Sequence, residues 1–422
     1  MTTTSKKTFS LSEDWIVVIL GFSIIALFIF GVVFPVPTFS WKNSEDLIAK
    51  VLSSENLFRI IIQFIIVFVF ALLGGWLTNK VLKSVAIVFP LIYILSVAAL
   101  ILAGNSSVKE LNLEAVIFSL VIGLIIGNFF TLPQWIKDVL SAEFFVKIGL
   151  VLLGTGVIFS DILKAGSLGL IQALAVVLSV WYFAFWLCKK FKLDEELTMM
   201  ISSAVSICGV SAAIATAGAI KGDSKKLSYV ISLVLVVAIP MMIFMPLIAK
   251  SLGLNEEVTG AWLGGTIDTT GAVVAAGTLV GETALKYSTI VKFSQNVLLG
   301  IAAFAISIYW SYTQKSSNEK TNEAPSLALL WERFPKFVLG FVAASLLFSF
   351  VLNPTIIAPA KDGLKSIQTL WFVLAFTSIG LETKFNDLFK QENKKPLYAF
   401  LIAQAFNIVI TLVIAWLLFN NS

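Results

Sequence analysis

Two ionisable side chains stand where a strongly apolar chain should carry none. Asp268 lies in GGTIDTTGAVVAAG (264–277), and Lys292 lies in the next apolar stretch, within YSTIVKFSQN (287–296). An unpaired charge at the centre of a bilayer costs on the order of 3 kcal/mol. Asp268 must therefore face a cavity, hold a proton or pair with a cation; the plainer alternative is a helix N-cap. Lys292 is followed by Gln295 and Asn296 at i+3 and i+4, with Ser288 at i−4, so one helical face offers a cation flanked by amides and a hydroxyl. Its alternative is to snorkel to an interface, the reading that suits Lys147 better because Lys147 stands close to the end of its span. Gln404 and Asn407, at i and i+3 in the last apolar run, read as interhelical hydrogen-bonding groups.

Two runs of small and polar residues are suited to hold such groups. SSAVSICGVSAAIATAGAI (202–220) and the Asp268 run are dense in Gly, Ala, Ser and Thr. Backbone can leave the helix at membrane depth only where it is buried in protein or lines a wet cavity. A break exposes the N–H groups of the following half-helix, and these together with the dipole favour an anion. Ser211, Thr269 and Thr270 are placed to cap such half-helices. Close packing through small residues is the competing explanation.

The elements around them must be membrane helices. Of 422 residues, 58% are hydrophobic and 13% charged, against ~25% charged in soluble domains. Thirteen apolar segments qualify as spans, giving an all-α integral membrane fold of about 11–13 transmembrane helices, with broken helices at 197–220 and 258–280. Residues 44–56 read as a short interfacial helix capped by Ser44, and Ser311–Pro325 as a hydrophilic linker. If all thirteen segments cross, the N-terminus and the lysine clusters at 6–7, 80–83, 189–192, 315–336 and 384–395 share one side, the cytoplasm of a plasma (inner) membrane. The loop KGDSKK (221–226), with Lys42, Lys50 and Arg59, then falls on the wrong side. The sequence has no histidine, which excludes His-ligated metals and His-based triads, and its two cysteines, Cys188 and Cys208, sit in apolar runs as small core residues. Nothing calls for a cofactor, an enzyme's nucleophile–base pair or a nucleic-acid partner. The expected partners are the bilayer, a small solute and, for assembly, a second copy in a homodimer.

A weak internal repeat accompanies this. Ser119, Pro133, Gly154, Phe159, Asp161 and Lys164 recur 226 residues later as Ser345, Pro359, Gly380, Phe385, Asp387 and Lys390. Segments 115–190 and 341–416 begin seven spans apart, and an odd shift inverts the second copy, as in many secondary transporters.

GLIIGN (123–128), KIGLVLLG (147–154), ICGVSAAIA (207–215), DTTGAVVAAG (268–277), VKFSQN (291–296) and AFTSIGLET (375–383) together resemble the YeiH-like membrane proteins, a family labelled as sulfate exporters. The resemblance covers about residues 85–420 and leaves 1–84 as added N-terminal helices. It implies membership of the cation–proton antiporter and anion transporter superfamily: an inverted repeat, two broken crossing helices and alternating access. The sequence departs from that family at Asp268, where a histidine is common, and at Gln295, where an arginine is common. Two functions follow. One is a secondary transporter of a small anion of the sulfate, sulfite or sulfonate class, with Ser211, Asp268, Thr269, Thr270, Lys292, Gln295 and Asn296 as substrate-binding residues. The other is a cation–proton antiporter. Lys292 aimed at the break, with no second carboxylate there, favours the anion.

Overall fold

The computed structural model describes residues 11–32, 36–110, 115–220, 222–313, 331, 334–383 and 394–420. The described residues are almost entirely helical. The main helices are α1 (Glu13–Ile29), α2 (Ser54–Leu77), α3 (Leu82–Ala103), α4 (Ala115–Phe129), α5 (Ala142–Leu153), α6 (Phe159–Lys190), α7 (Glu195–Ser206), α8 (Val210–Ile220), α9 (Ser224–Ser251), α10 (Glu256–Thr266), α11 (Thr270–Val280), α12 (Glu282–Thr313), α13 (Lys336–Leu346), α14 (Pro354–Glu382) and α15 (Lys395–Phe419). Among the described residues, eight helical stretches are long and apolar enough to cross a membrane. Residues 44–56 divide differently from expectation. Ser44–Asp46 runs into a π-helical turn at Leu47–Val51, Asn43 rather than Ser44 caps it through Asp46 N at 2.8 Å, and α2 already begins at Ser54.

Both expected breaks are present. Helix geometry stops between Ser206 and Val210 and between Thr266 and Thr270. The path through them differs from two crossing helices. Glu196, at the start of α7, accepts from Asp223 N just beyond α8 (3.1 Å), and Lys226 Nζ reaches Asp194 and Glu196 at 2.8 and 3.1 Å. Likewise Glu256, at the start of α10, accepts from Thr283 N and Ala284 N beyond α11 (3.1 and 3.2 Å). Two collinear 11-residue half-helices would hold their outer ends ~30 Å apart at 1.5 Å per residue. Each pair is therefore a re-entrant hairpin whose outer ends lie together. The sharp turn at the first tip rests on Gly209 (φ +59°), a conformation that disfavours any Cβ.

The helices sort into two bundles. The first holds α1–α5, α13 and α14; the second holds α6, both hairpins, α9, α12 and α15. Close backbone approach fixes the first: a Cβ on Gly380 of α14 would stand 2.5 Å from Leu120 O of α4. Helix α1 is tied in by Lys147 of α5, which pairs with Glu13 and Asp14 at 3.0 Å each and with Glu143 at 3.6 Å, so Lys147 is ion-paired rather than merely snorkelling. Contacts between the bundles run chiefly through α11 against α5 and α14 and through α13 against α6.

Packing is reciprocal across the two repeat segments. α4 packs on α14 as α13 packs on α5, and α6 packs on α7 as α15 packs on α10. The first repeat is followed by its hairpin, whereas the second is preceded by its hairpin. Phe385, Asp387 and Lys390, and all but the start of the 311–325 linker, lie outside the described residues.

Candidate functional site

The two hairpin tips meet. A Cβ on Gly209 would lie 3.0 Å from both Cβ and the carbonyl oxygen of Asp268. Each tip brings together the C-terminal end of one short helix and the N-terminal end of the next, so unpaired carbonyls and unpaired amides accumulate in one buried place.

The carbonyl side is closed by side chains from neighbouring helices. Lys292, fully enclosed in α12, donates to Ile207 O (2.9 Å), Ile267 O (2.8 Å) and Gln295 Oε1 (3.0 Å). Gln295 donates on to Gly265 O at 2.8 Å. From α15, Gln404 donates to Thr266 O (3.0 Å), and Asn407 donates to Val205 O (3.0 Å) and Thr266 O (3.3 Å). Lys292 thus does not snorkel; a cation answers two helix C-terminal dipoles at once. Gln404 and Asn407 bind the same broken ends, a role their i, i+3 spacing alone did not reveal.

The amide side is more open. Thr269 is the N-cap of α11, its hydroxyl accepting from Ala272 N at 3.3 Å; Thr270 is the first helical residue and does not cap. Ser211 is not a cap either: it is the second residue of α8, and Gly209 occupies the position in front of that helix. Asn296, 6% exposed, donates to Thr270 Oγ1 at 3.4 Å, and its Oδ1 has no partner among the described residues. Ser211, Thr269 and Thr270 are half-buried, and a Cβ on Gly271 would meet Ile379 of α14 and Val146 of α5. The amide end of α11 therefore faces the seam between the bundles, while the start of α8 packs against α6 and α12.

Asp268 is 1% exposed at the second tip. Its Oδ2 is unpartnered, and the hydrogen bonds of Lys292 go to other groups, so the two do not form a direct ion pair. All seven residues picked out by the sequence lie on the two tips or on the α12 face beside them. A cavity of about 450 Å³ lined by Gln63, Asp362, Lys365 and Ser366 opens in the first bundle, away from the tips.

Residues 87–399 match the family model described as conserved hypothetical protein 698. The chain belongs to this family. A UPF0324 membrane protein of Rhodopirellula baltica is 41% identical over 343 residues, covering 79% of this chain and 62% of that protein. One from Nitratidesulfovibrio vulgaris is 39% identical over 342 residues, 78% of this chain and 58% of that one. A third, from Yersinia pestis, is 26% identical over 301 residues, 68% and 80% of the two chains. The chain spans about three fifths of the length of the first two relatives. No solved structure matches it. The family match takes in both hairpins, α12 and most of the two bundles. With the relatives' names and the apolar helices, it makes this chain a multi-pass membrane protein.

Proposed function

We propose that this chain is a secondary transporter that carries a small anion by alternating access between the two bundles. The observation that carries the reading is the pair of meeting hairpin tips, which leave helix N-termini open, that of α11 at the inter-bundle seam, while Lys292 and three amide side chains neutralise the opposite helix ends. Segments 197–220, 258–280 and 287–310 contain Asp268 and no other acidic residue. An anion site needs just that scarcity. The sulfate, sulfite and sulfonate class is the substrate group of this proposal, and Asp268 is its coupling group.

The re-entrant hairpins support one membrane orientation. With α7–α8 and α10–α11 removed from the crossing count, eleven segments remain, and the lysines of 221–226 move to the side of Lys189, Lys190 and Lys192. We place that side and the N-terminus in the cytoplasm of the plasma membrane. The two repeats then run in opposite directions, with one hairpin entering from each face.

Proton-coupled cation exchange is the second reading, and the buried Asp268 carboxyl, whose Oδ2 has no partner among the described residues, favours it. Flux assays on purified protein in proteoliposomes separate the two. At least one of labelled sulfate, sulfite and alkanesulfonates should be taken up, and Asn296→Asp should abolish that uptake. Sodium–proton exchange without anion flux would instead select the cation reading.

A further inference from the structure

We infer that the site takes one monovalent oxyanion together with one proton on Asp268, and that the loaded carrier therefore moves without net charge. This rests on the transporter reading above and adds the charge and coupling of the substrate.

The inference follows from counting charge at the tips. A helix terminus carries roughly half an elementary charge, negative at the C-terminus and positive at the N-terminus. The C-terminal ends of α7 and α10 sum to about −1, and Lys292 cancels them by bonding Ile207 O and Ile267 O directly. Its third hydrogen bond goes to Gln295, so the ammonium has no donor left for a ligand. The N-terminal ends of α8 and α11 sum to about +1. Their remaining amides, at Val210, Ser211, Thr270 and Gly271, make no hydrogen bond among the described residues. A second observation points at the same place. Asn296, more than nine-tenths buried, reaches the first residue of α11 and leaves Oδ1 unsatisfied. An oxyanion bearing a hydroxyl would fill that acceptor while its other oxygens take the amides.

Asp268 supplies the last charge. The groups facing it are Lys292 from α12, Cys208 from the first tip and the neutral Gln404 from α15; Val234 of α9 lies against the tips, and Val146 and Ile379 cover the neighbouring Gly271. Empty and ionised at Asp268, the site sums to about zero. Loaded with a monoanion, it sums to zero only when Asp268 holds a proton. The two mixed states each leave about one charge at membrane depth, at a cost that makes them roughly a hundred-fold rarer. Both balanced states can reorient and the mixed states cannot, which makes the coupling obligatory. A dianion such as sulfate leaves one charge over even with Asp268 protonated.

The test uses the full chain in proteoliposomes with an imposed pH gradient. Labelled methanesulfonate, formate, nitrate and hydrogensulfite at acidic pH are compared with sulfate, and current is recorded on a solid-supported membrane. Uptake of at least one monoanion should be driven by an inward proton gradient and carry no current, and sulfate uptake should be about a hundred-fold slower. Asp268→Asn should lose the acceleration of monoanion uptake by the pH gradient. Preference for sulfate, or current accompanying monoanion uptake, overturns this inference while leaving an anion transporter. Cation–proton exchange with no anion flux overturns both.

Discussion

Replacing Lys292 by methionine should destabilise the protein before it changes any affinity. Methionine keeps the length of the side chain and removes the ammonium. Ile207 O, Ile267 O and Gln295 Oε1 then lose donors at 2.8–3.0 Å in a fully buried site. Each orphaned buried acceptor costs about 1–3 kcal/mol. With partial relaxation the three together come to about 3–6 kcal/mol, a large share of a net stability of about 5–15 kcal/mol. The two helix C-termini also lose their counter-charge. In detergent, the apparent melting temperature of Lys292→Met should fall by about 5–10 °C. Asp268→Asn should shift it by about 2 °C or less, because Oδ2 has no partner to lose. The double variant should recover little, since the orphaned carbonyls remain. A Lys292→Met protein as stable as the wild type, or an Asp268→Asn protein that melts lower than it, would refute the assignment of Lys292 to the helix ends.

Gly209→Ala should cost about 2–4 kcal/mol, combining a left-handed backbone with a Cβ 2.6 Å from Val234 Cγ1, and Gly209→Ala/Val234→Ala should restore part of the melting temperature. Asn296→Asp adds a negative charge beside Thr270 and should lower anion uptake by at least about a hundred-fold while the protein elutes as a folded peak in size-exclusion chromatography. Single cysteines at Lys189 and Lys225, placed in a chain lacking Cys188 and Cys208, should react with an impermeant thiol reagent from the same side of the membrane; labelling from opposite sides would restore a crossing α7–α8. The Asp223 carboxyl caps α9, and the backbone N–H groups of Lys226 and Lys225 hold it below its ordinary value of 3.8. Its contribution is therefore present above about pH 4 and lost as pH falls through the lower folded-state value, and Asp223→Ala should lower the melting temperature by more at pH 7 than at acidic pH.

The breaks were legible because small and polar residues have few other uses in a run of that apolarity, and Lys292 with Gln295 and Asn296 because helical spacing fixes a shared face. The seven candidate residues do gather at the tips. Their division of labour was not readable. Lys292 serves carbonyls rather than a ligand because three acceptors from chain positions 207, 267 and 295 converge on it, and convergence of that kind has no local trace. Gln404 and Asn407 look like ordinary interhelical polar residues until Thr266 O, more than a hundred residues earlier, is placed beside them. The hairpins escaped notice because an interrupted apolar stretch of about twenty residues reads the same whether it crosses or turns back. One sign was on view: KGDSKK carried too many lysines for the far side. The repeat was faint because the second hairpin stands ahead of its partner helices, so a constant offset aligns only three of them.

The side-chain hydrogen bonds that quiet the carbonyl ends of the broken helices come from α12 and α15, and both belong to the same bundle as the hairpins. Shear of one bundle past the other breaks none of them. Among the contacts it must break are Gly271 against Ile379 and Val146, the Phe293 ring against Phe337 and Phe341, the Phe159 ring against Phe350 with the Phe159 N–H on Ser349 Oγ, and the exposed pair of Lys365 with Glu282. On the transporter reading, sliding would work mainly against dispersion along a glycine-and-phenylalanine track, with one hydrogen bond and one exposed ion pair beside it. Substitutions on that track can retune turnover while leaving the polar tip, and whatever it selects, intact.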